Sequence, residues 1–321
     1  MNGNSLLEIC CYYGSAQCFK LLRTKFNSEI TQACLDFSFL GGNPEIMSEC
    51  LKVQKPKENC MKNAIISHNI DFVTFLVNEY DLEIDLEMCG RFKNFQAFLV
   101  YYDLTNDSNK CFVYSPLFNN QSICEYFVSN GTNINSTDQK GKTALHIASY
   151  YNIKDIAKYL LSQGADINTK DKDGSSAIRL AVIDGGFETA ELLLSYGANI
   201  NEKNNQGDTI FQEALLYVGE DRAKFLISHG ADINAKNEIG QTILHQVVLM
   251  HLEKHIEFII SNGFDINAKD NRGMTALHYA SMSKSKEIAN ILISYGAENN
   301  IKDNNGETPQ SIAEYFLKDE E

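Results

Sequence analysis

The sequence predicts an all-α protein made of stacked helix–turn–helix hairpins, and two observations carry the prediction. Glycine recurs at Gly141, Gly174, Gly207, Gly240, Gly273 and Gly306, each 33 residues after the last. A second series, Gly131, Gly164, Gly197, Gly230, Gly263 and Gly296, keeps the same step. Two interleaved series at one period mark a repeat array. Each unit is too small to bury its own apolar face and gains stability only by stacking on neighbours. The function of such a chain is expected on an extended surface rather than in one pocket.

Composition is that of a folded soluble protein: 22% charged and 44% hydrophobic over 321 residues. The net charge of −14 divides into −5 for residues 1–130 and −9 for residues 131–321. Acidity spread in this way argues against nucleic-acid binding, which needs a basic patch or stripe, and mildly favours basic partners. No run of 18 apolar residues occurs, so no membrane insertion is expected. The amino-terminal MNGNSLLEICCYYG lacks the basic region and long apolar core of a signal peptide. All nine cysteines lie at or before Cys124, with no C-x-x-C. Odd in number and set mostly on apolar helical faces, they read as buried reduced thiols in a cytoplasmic or nuclear protein.

Residues 1–130 read as five helix pairs. These are Ser5–Tyr13 with Ser15–Lys25, Ile30–Leu40 with Pro44–Gln54, Glu58–Ser67 with Ile70–Tyr80, Glu87–Phe92 with Phe95–Tyr102, and Lys110–Leu117 with Ser122–Asn130. Gly14, Gly41-Gly42-Asn43, His68-Asn69, Asn94 and Asn119-Asn120 supply the turns, and Pro44 fits a helix first turn. The pairs recur about every 25–29 residues, without the glycine-marked loops.

From Gly131 the pattern tightens. D-x-x-G-x-T opens each unit, and Thr143, Ser176, Thr209, Thr242, Thr275 and Thr308 hold the N-cap position, where a hydroxyl accepts an otherwise unpaired backbone N–H. Apolar Leu145, Ile178, Phe211, Leu244 and Leu277 follow. Then come small residues at Ala148, Ala181, Ala214, Ala280 and Ala313, with Val247 the bulkier exception. Aliphatic pairs end the second helix: Leu160-Leu161, Leu193-Leu194, Leu226-Ile227, Ile259-Ile260 and Leu292-Ile293. The next glycine suits the left-handed position that stops a helix.

These residues resemble the ankyrin repeat. DQKGKTALHIA…LLSQGADIN and DNRGMTALHYA…LISYGAENN reproduce the family pattern D-x-x-G-x-T-P-L-H-x-A…L-L-x-x-G-A-D-x-N, over residues 131–321. The resemblance implies an ankyrin-repeat solenoid with β-hairpin-like finger loops, in units 138–170, 171–203, 204–236, 237–269 and 270–302 and a partial unit 303–321. Its recurrent histidines, His146, His245 and His278, are then structural. Its loop asparagines, Asn168, Asn201, Asn234 and Asn267, serve loop hydrogen bonding and are hydroxylated in some members. Ile210-Phe211-Gln212, Arg179 and Phe264 depart from the pattern, and less regular packing is expected there. The tail Lys318-Asp319-Glu320-Glu321 is polar, as a solvent-facing cap needs. Residues 1–130 are similar to the uncharacterised leader that precedes ankyrin arrays in protist families. Its signature is LLEICCYYGSAQCFKLLRTKFNSEIT…LGGNPEIMSECLK…CMKNAIISHNIDFVTFLVNEYDLEID, and divergent ankyrin-like hairpins are expected there.

No chemical motif competes. His251 and His255 stand at i and i+4, the spacing of a helical zinc pair, but the glutamate of H-E-x-x-H is absent and His251 falls at a turn. Asp81, Glu83, Asp85 and Glu87 alternate without the calcium-loop glycine. Gly41-Gly42-Asn43-Pro44 lacks the lysine and hydroxyl of a phosphate loop. No metal, cofactor, catalytic residue or small-molecule substrate is expected, and the chain is expected to be monomeric.

The positions free to vary are where recognition can be written. The family's partners touch the finger tips and the exposed side of the first helix. The tips here are Gln139, Lys140, Lys142; Lys172, Asp173, Ser175; Asn205, Gln206, Asp208; Glu238, Ile239, Gln241; and Asn271, Arg272, Met274. The helix positions are Tyr150-Tyr151, Ile183-Asp184, Leu216-Tyr217, Leu249-Met250 and Met282-Ser283. Eight of these ten are apolar or aromatic, and a contiguous apolar surface marks an interaction site. The expected function is a non-catalytic scaffold or adaptor binding a protein in its concave groove. The alternative is an enzyme or metalloprotein acting through the cysteine-rich amino-terminal region, which requires three or more Cys or His to converge in an exposed cleft.

Overall fold

A computed structural model of the chain describes residues 3–318. Met1 and Asn2 lie outside that range, as does the expected polar cap apart from the backbone of Lys318. The chain forms two compact units, residues 1–148 with 153–166 and residues 149–152 with 167–321.

The first unit holds five complete hairpins. They are α1 (Leu6–Tyr12) with α2 (Ala16–Phe26), α3 (Gln32–Gly41) with α4 (Pro44–Leu51), and α5 (Glu58–Ile66) with α6 (Ile70–Tyr80). Then come α7 (Leu86–Arg91) with α8 (Phe95–Thr105), and α9 (Ser108–Tyr114) with α10 (Gln121–Ser129). The start of α11 (Ala144–Tyr150) and all of α12 (Lys154–Ser162) follow. The helices begin where they do because short polar side chains cap them. Ser5, Thr31, Asn43, Asn69, Asp85, Asn94, Asp107 and Asn120 each accept a first-turn backbone N–H. Layers are tied by side-chain amides that donate one layer back: Asn43 to Gly14 O (3.1 Å), Asn63 to Asp36 O (2.7 Å) and Asn94 to Ile65 O (2.9 Å). Phe39, Phe98, Phe112 and Phe127 fill the apolar interior. After α9 the chain tightens into a 3-10 turn, Ser115–Phe118, which brings Leu117 onto Gly90. A Cβ at Gly90 would stand 2.3 Å from that of Leu117, so only glycine admits the contact.

The second unit continues the plan with α13 (Ala177–Ile183) and α14 (Phe187–Ser195), then α15 (Ile210–Glu213) and α16 (Glu220–Ser228). It closes with α17 (Ile243–Leu249), α18 (Glu253–Ser261), α19 (Ala276–Met282), α20 (Lys286–Ser294) and α21 (Pro309–Lys318). First helices pack on first helices, α17 on α19 and α19 on α21, while α18 packs on α20. The small-residue position is fully buried at Ala181, Ala214, Val247 and Ala280. So is the first member of each aliphatic pair at Leu193, Leu226, Ile259 and Leu292.

Each finger is clamped by the residue that opens D-x-x-G. Asp171 Oδ1 accepts the N–H groups of Asp173 (3.0 Å) and Ser175 (2.9 Å). Asn204, Asn237, Asp270 and Asp303 repeat the clamp, as does Asp138 in the first unit. Both glycine series are left-handed throughout, with φ between 76° and 96°. Single antiparallel bridges close the finger bases at Thr137–Thr143, Lys170–Ser176 and Lys203–Thr209.

The irregular layer is the third, one of those in which the sequence departs from the pattern. The inter-helix turn places one left-handed residue per unit at Asn152, Gly185, His251 and Lys284, with φ of 52°, 81°, 54° and 55°. The same register in the third unit holds Val218, whose branched Cβ resists that conformation. The chain runs as a π-helical turn, Ala214–Val218, while keeping the bond that closes the turn in the other units, here Gly219 N–H to Ala214 O (2.8 Å) as Gly186 N–H to Ala181 O (2.8 Å). Gly219 then takes φ 137° and ψ 170°, a region open essentially to glycine alone. By contrast, Gln212 and Arg179 preserve the local plan, and Phe264 packs against Phe211 with ring centroids 5.8 Å apart.

Candidate interaction surface

The recurrent histidines show how the scaffold is held. Thr242 N–H donates to His245 Nδ1 (3.1 Å), and Thr275 N–H to His278 Nδ1 (2.9 Å). Nδ1 is therefore an acceptor and the proton sits on Nε2. From there it is donated to the carbonyl 29 residues on, Met274 O (3.0 Å) and Glu307 O (3.3 Å). Each imidazole thus caps its own helix and ties it to the next finger. Burial foremost pushes both histidines below the usual imidazole value, outweighing their carbonyl contacts. His146 caps Thr143 in the same way (3.1 Å).

The two departures divide this work: Gln212 keeps the helix cap and Arg179 the tie to the next finger. Gln212 Oε1 accepts the Thr209 N–H (2.9 Å), and its amide donates to Gln246 Oε1 (3.3 Å). Arg179, fully buried, donates Nη2 to Asp208 O (3.3 Å), again the carbonyl 29 residues on. Its remaining donors pair with Glu202 (3.3 Å) and Glu213. The loop asparagines also bridge units: Asn201 Oδ1 accepts from Asp232 N–H (2.7 Å), Asn234 from Asp265 (3.1 Å) and Asn267 from Glu298 (3.0 Å). A lysine ladder runs parallel, with Lys170, Lys203, Lys236 and Lys269 each donating to the backbone carbonyl 33 residues on.

Outside this framework stand the variable positions. Tyr150, Tyr217, Leu249, Met250 and Met282 are exposed by 41–69%. Tyr151, Ile183 and Leu216 are half-buried, and Asp184 is exposed. Tyr150 and Tyr151 meet edge to face at 4.8 Å. Val218 adds an exposed apolar residue that sequence reasoning missed, although a valine at a left-handed register was the signal.

At the finger tips Gln139, Lys140, Lys172, Asp173, Gln206, Ile239 and Arg272 are exposed, and Lys142 is half-buried. Two tips read as exposed from the sequence are not. Gln241 is buried because its amide donates to Tyr279 Oη (3.0 Å), and Met274 packs inside. Tyr279 Oη in turn donates to Asp270 (2.6 Å), while the Arg272 guanidinium lies over the Tyr279 ring at 5.4 Å. Burial works to raise the Asp270 carboxyl, but the hydrogen bonds from Tyr279 and from the Met274 and Arg272 N–H groups prevail and lower it. Arg272 and Met282 share a groove of about 490 Å³ with Asn304 and Ile312. In the first unit, Gln139 and Lys140 line a separate groove of about 500 Å³ with Met61, Ile84 and Tyr114.

The other candidate chemistry is spent locally. His251 occupies the left-handed turn and His255 lies inside α18, so no single helix offers both imidazoles. Asp85 caps α7 and Glu83 pairs with Lys110 at 2.6 Å. Among the described residues no group of three His, Cys, Asp or Glu side chains is placed to hold a metal ion. The nine thiols are free. Burial pushes Cys60, Cys89 and Cys111 up to about 12, where a thiol is a poor nucleophile. No described helix is long and apolar enough to cross a membrane.

Capped helices, clamped fingers and a row of incompletely buried apolar side chains define a repeat protein. Comparison with protein families matches the ankyrin repeat in overlapping stretches, 95–171, 112–204, 166–237 and 214–303. The chain belongs to the ankyrin-repeat family, and ankyrin repeats support a protein–protein interaction role. The match begins at residue 95, inside the stretch without loop glycines. A domain of unknown function matches residues 26–101, in keeping with an uncharacterised leader. No curated protein matches the chain.

Proposed function

We infer that this protein is a non-catalytic scaffold or adaptor that captures a protein partner on the concave face formed by its first-helix ends and finger tips. One observation carries the reading. Tyr150, Ile183, Leu216, Leu249 and Met282 stand one period apart at the ends of successive first helices, and Tyr217 and Met250 lie beside them, yet none is buried. A folded chain gains nothing from leaving large apolar side chains in register in water, and such rows mark interfaces. The tips Lys172, Asp173, Gln206 and Arg272 supply a polar, adaptable border, to which Ile239 adds an exposed apolar side chain. The typically non-enzymatic character of ankyrin repeats agrees with this assignment.

The test is capture of partners by the immobilised intact protein, repeated with Tyr150→Ala plus Tyr217→Ala. The expected result is loss of the partners retained by the wild type, with the melting temperature within a few degrees. Undiminished capture by a folded variant overturns the assignment.

A further inference from the structure

A second surface lies in the first unit, along the alternating acids Asp81, Glu83, Asp85 and Glu87. The segment joins α6 to α7, with Asp81 in the left-handed position that ends α6 and Asp85 capping α7. Burial alternates along it as the sequence does. Asp81, Glu83 and Asp85 are exposed, Leu82 is half-buried, and Ile84 and Leu86 are buried. Three carboxylates therefore stand out from a stretch anchored by the apolar side chains between them.

These acids form one wall of the groove of about 500 Å³ whose floor holds Met61, Ile84 and Leu86. Six carboxylates and three lysines line it, so the carboxylates are in excess. Lys110 is spent on Glu83 (2.6 Å), and Tyr114 Oη donates to Asp138 (2.8 Å). Glu58 and Asp81 are exposed, and among the described residues neither carboxylate has a hydrogen-bond or ion-pair partner.

We propose that this groove receives an extended, lysine- or arginine-bearing segment of a protein partner. Three features select that occupant. The excess of carboxylates gives the groove a negative potential, which draws cations and repels phosphate. Among the described residues no three acids converge to hold a metal ion, so the charge is spread along the groove, as a row of separate side-chain cations requires. The backbone supplies the third feature. Among the described residues the N–H and C=O groups of Glu83 and Ile84 make no hydrogen bond. An extended chain laid beside them pairs with that edge and turns every second side chain toward the carboxylates. The groove belongs wholly to the first unit and is distinct from the first-helix row that includes Tyr217.

The test titrates the intact protein into a fluorescently labelled peptide alternating lysine and threonine, read by anisotropy. Saturable binding that weakens with added salt is expected, with none to a peptide alternating glutamate and threonine. Glu58→Gln plus Asp81→Asn removes the two unpaired charges, and asparagine suits the φ of 54° at residue 81. Binding by this variant should weaken about three- to tenfold. The control Glu191→Gln plus Glu257→Gln, at exposed acids of α14 and α18, changes the net charge equally and should leave binding unaltered. Tyr150→Ala plus Tyr217→Ala should also bind the peptide as the wild type does, so failure of the concave face and failure of the groove give different results. No saturable binding, undiminished binding by the folded Glu58 and Asp81 variant, or equal weakening by the control pair or the tyrosine pair would each overturn the proposal.

Discussion

At the residue scale, two positions carry more than their size suggests. Arg179 replaces a scaffold histidine and neutralises Glu202, itself buried. Arg179→Ala is expected to cost about 3–5 kcal/mol, chiefly by stranding that carboxylate. Adding Glu202→Gln should recover part of the loss in a chemical-denaturation series, whereas strictly additive losses would refute the pairing. Gly219 is the second, since its φ of 137° admits almost nothing else. Gly219→Ala is expected to cost about 1–3 kcal/mol. Because Val218 causes the displaced turn, Val218→Asn should shrink that penalty in the double variant. Both features were present in the sequence as departures from period, but only one was legible. Arg179 stands out against the histidines, whereas Val218 acquires meaning only once its register is known to be left-handed.

At the element scale, the joints between units set how the array responds to acid. His245 and His278 have folded values depressed below the ordinary 6.5, mainly by burial. The unfolded chain then binds more protons at mildly acidic pH. Stability present above 6.5 is lost as pH falls through 6.5 toward the folded values. Gln212 already caps its own helix and reaches the next unit, through the Gln246 side chain, without a titrating group. His245→Gln with His278→Gln should therefore flatten the acid slope of the melting temperature between neutral and mildly acidic pH, and an unchanged slope would contradict the joint. Helix limits were readable here because the caps are local, a hydroxyl, carboxylate or amide oxygen within three residues of the N–H it accepts. Gln241 and Met274 were misread as tips because their burial depends on Tyr279 and its surroundings, which the period of the loops does not encode.

At the scale of the whole molecule, the chain divides labour between positions that stack and positions left free. The stacking set is fixed by burial: Leu226→Ala, at a fully buried aliphatic position, is expected to cost about 2–5 kcal/mol and to lower the melting temperature regardless of any partner. The free set should behave in the opposite way, affecting capture and not stability. Period and pattern were enough to locate the stacking set, because stacking demands the same residue at the same place in every unit. They were silent about the partner, because recognition is written where no repetition is required.

The most direct measurement of this division compares two equally mild double variants of the intact protein. One is Tyr150→Ala plus Tyr217→Ala on the first-helix face. The other is Tyr196→Ala plus Ile293→Ala, exposed residues near the ends of second helices. Capture by the immobilised protein is quantified alongside the melting temperature. The expected result is loss of partner capture for the first pair alone, with both variants melting within a few degrees of the wild type. Equal capture by both, or loss confined to the second pair, would contradict the assignment of recognition to the first-helix face.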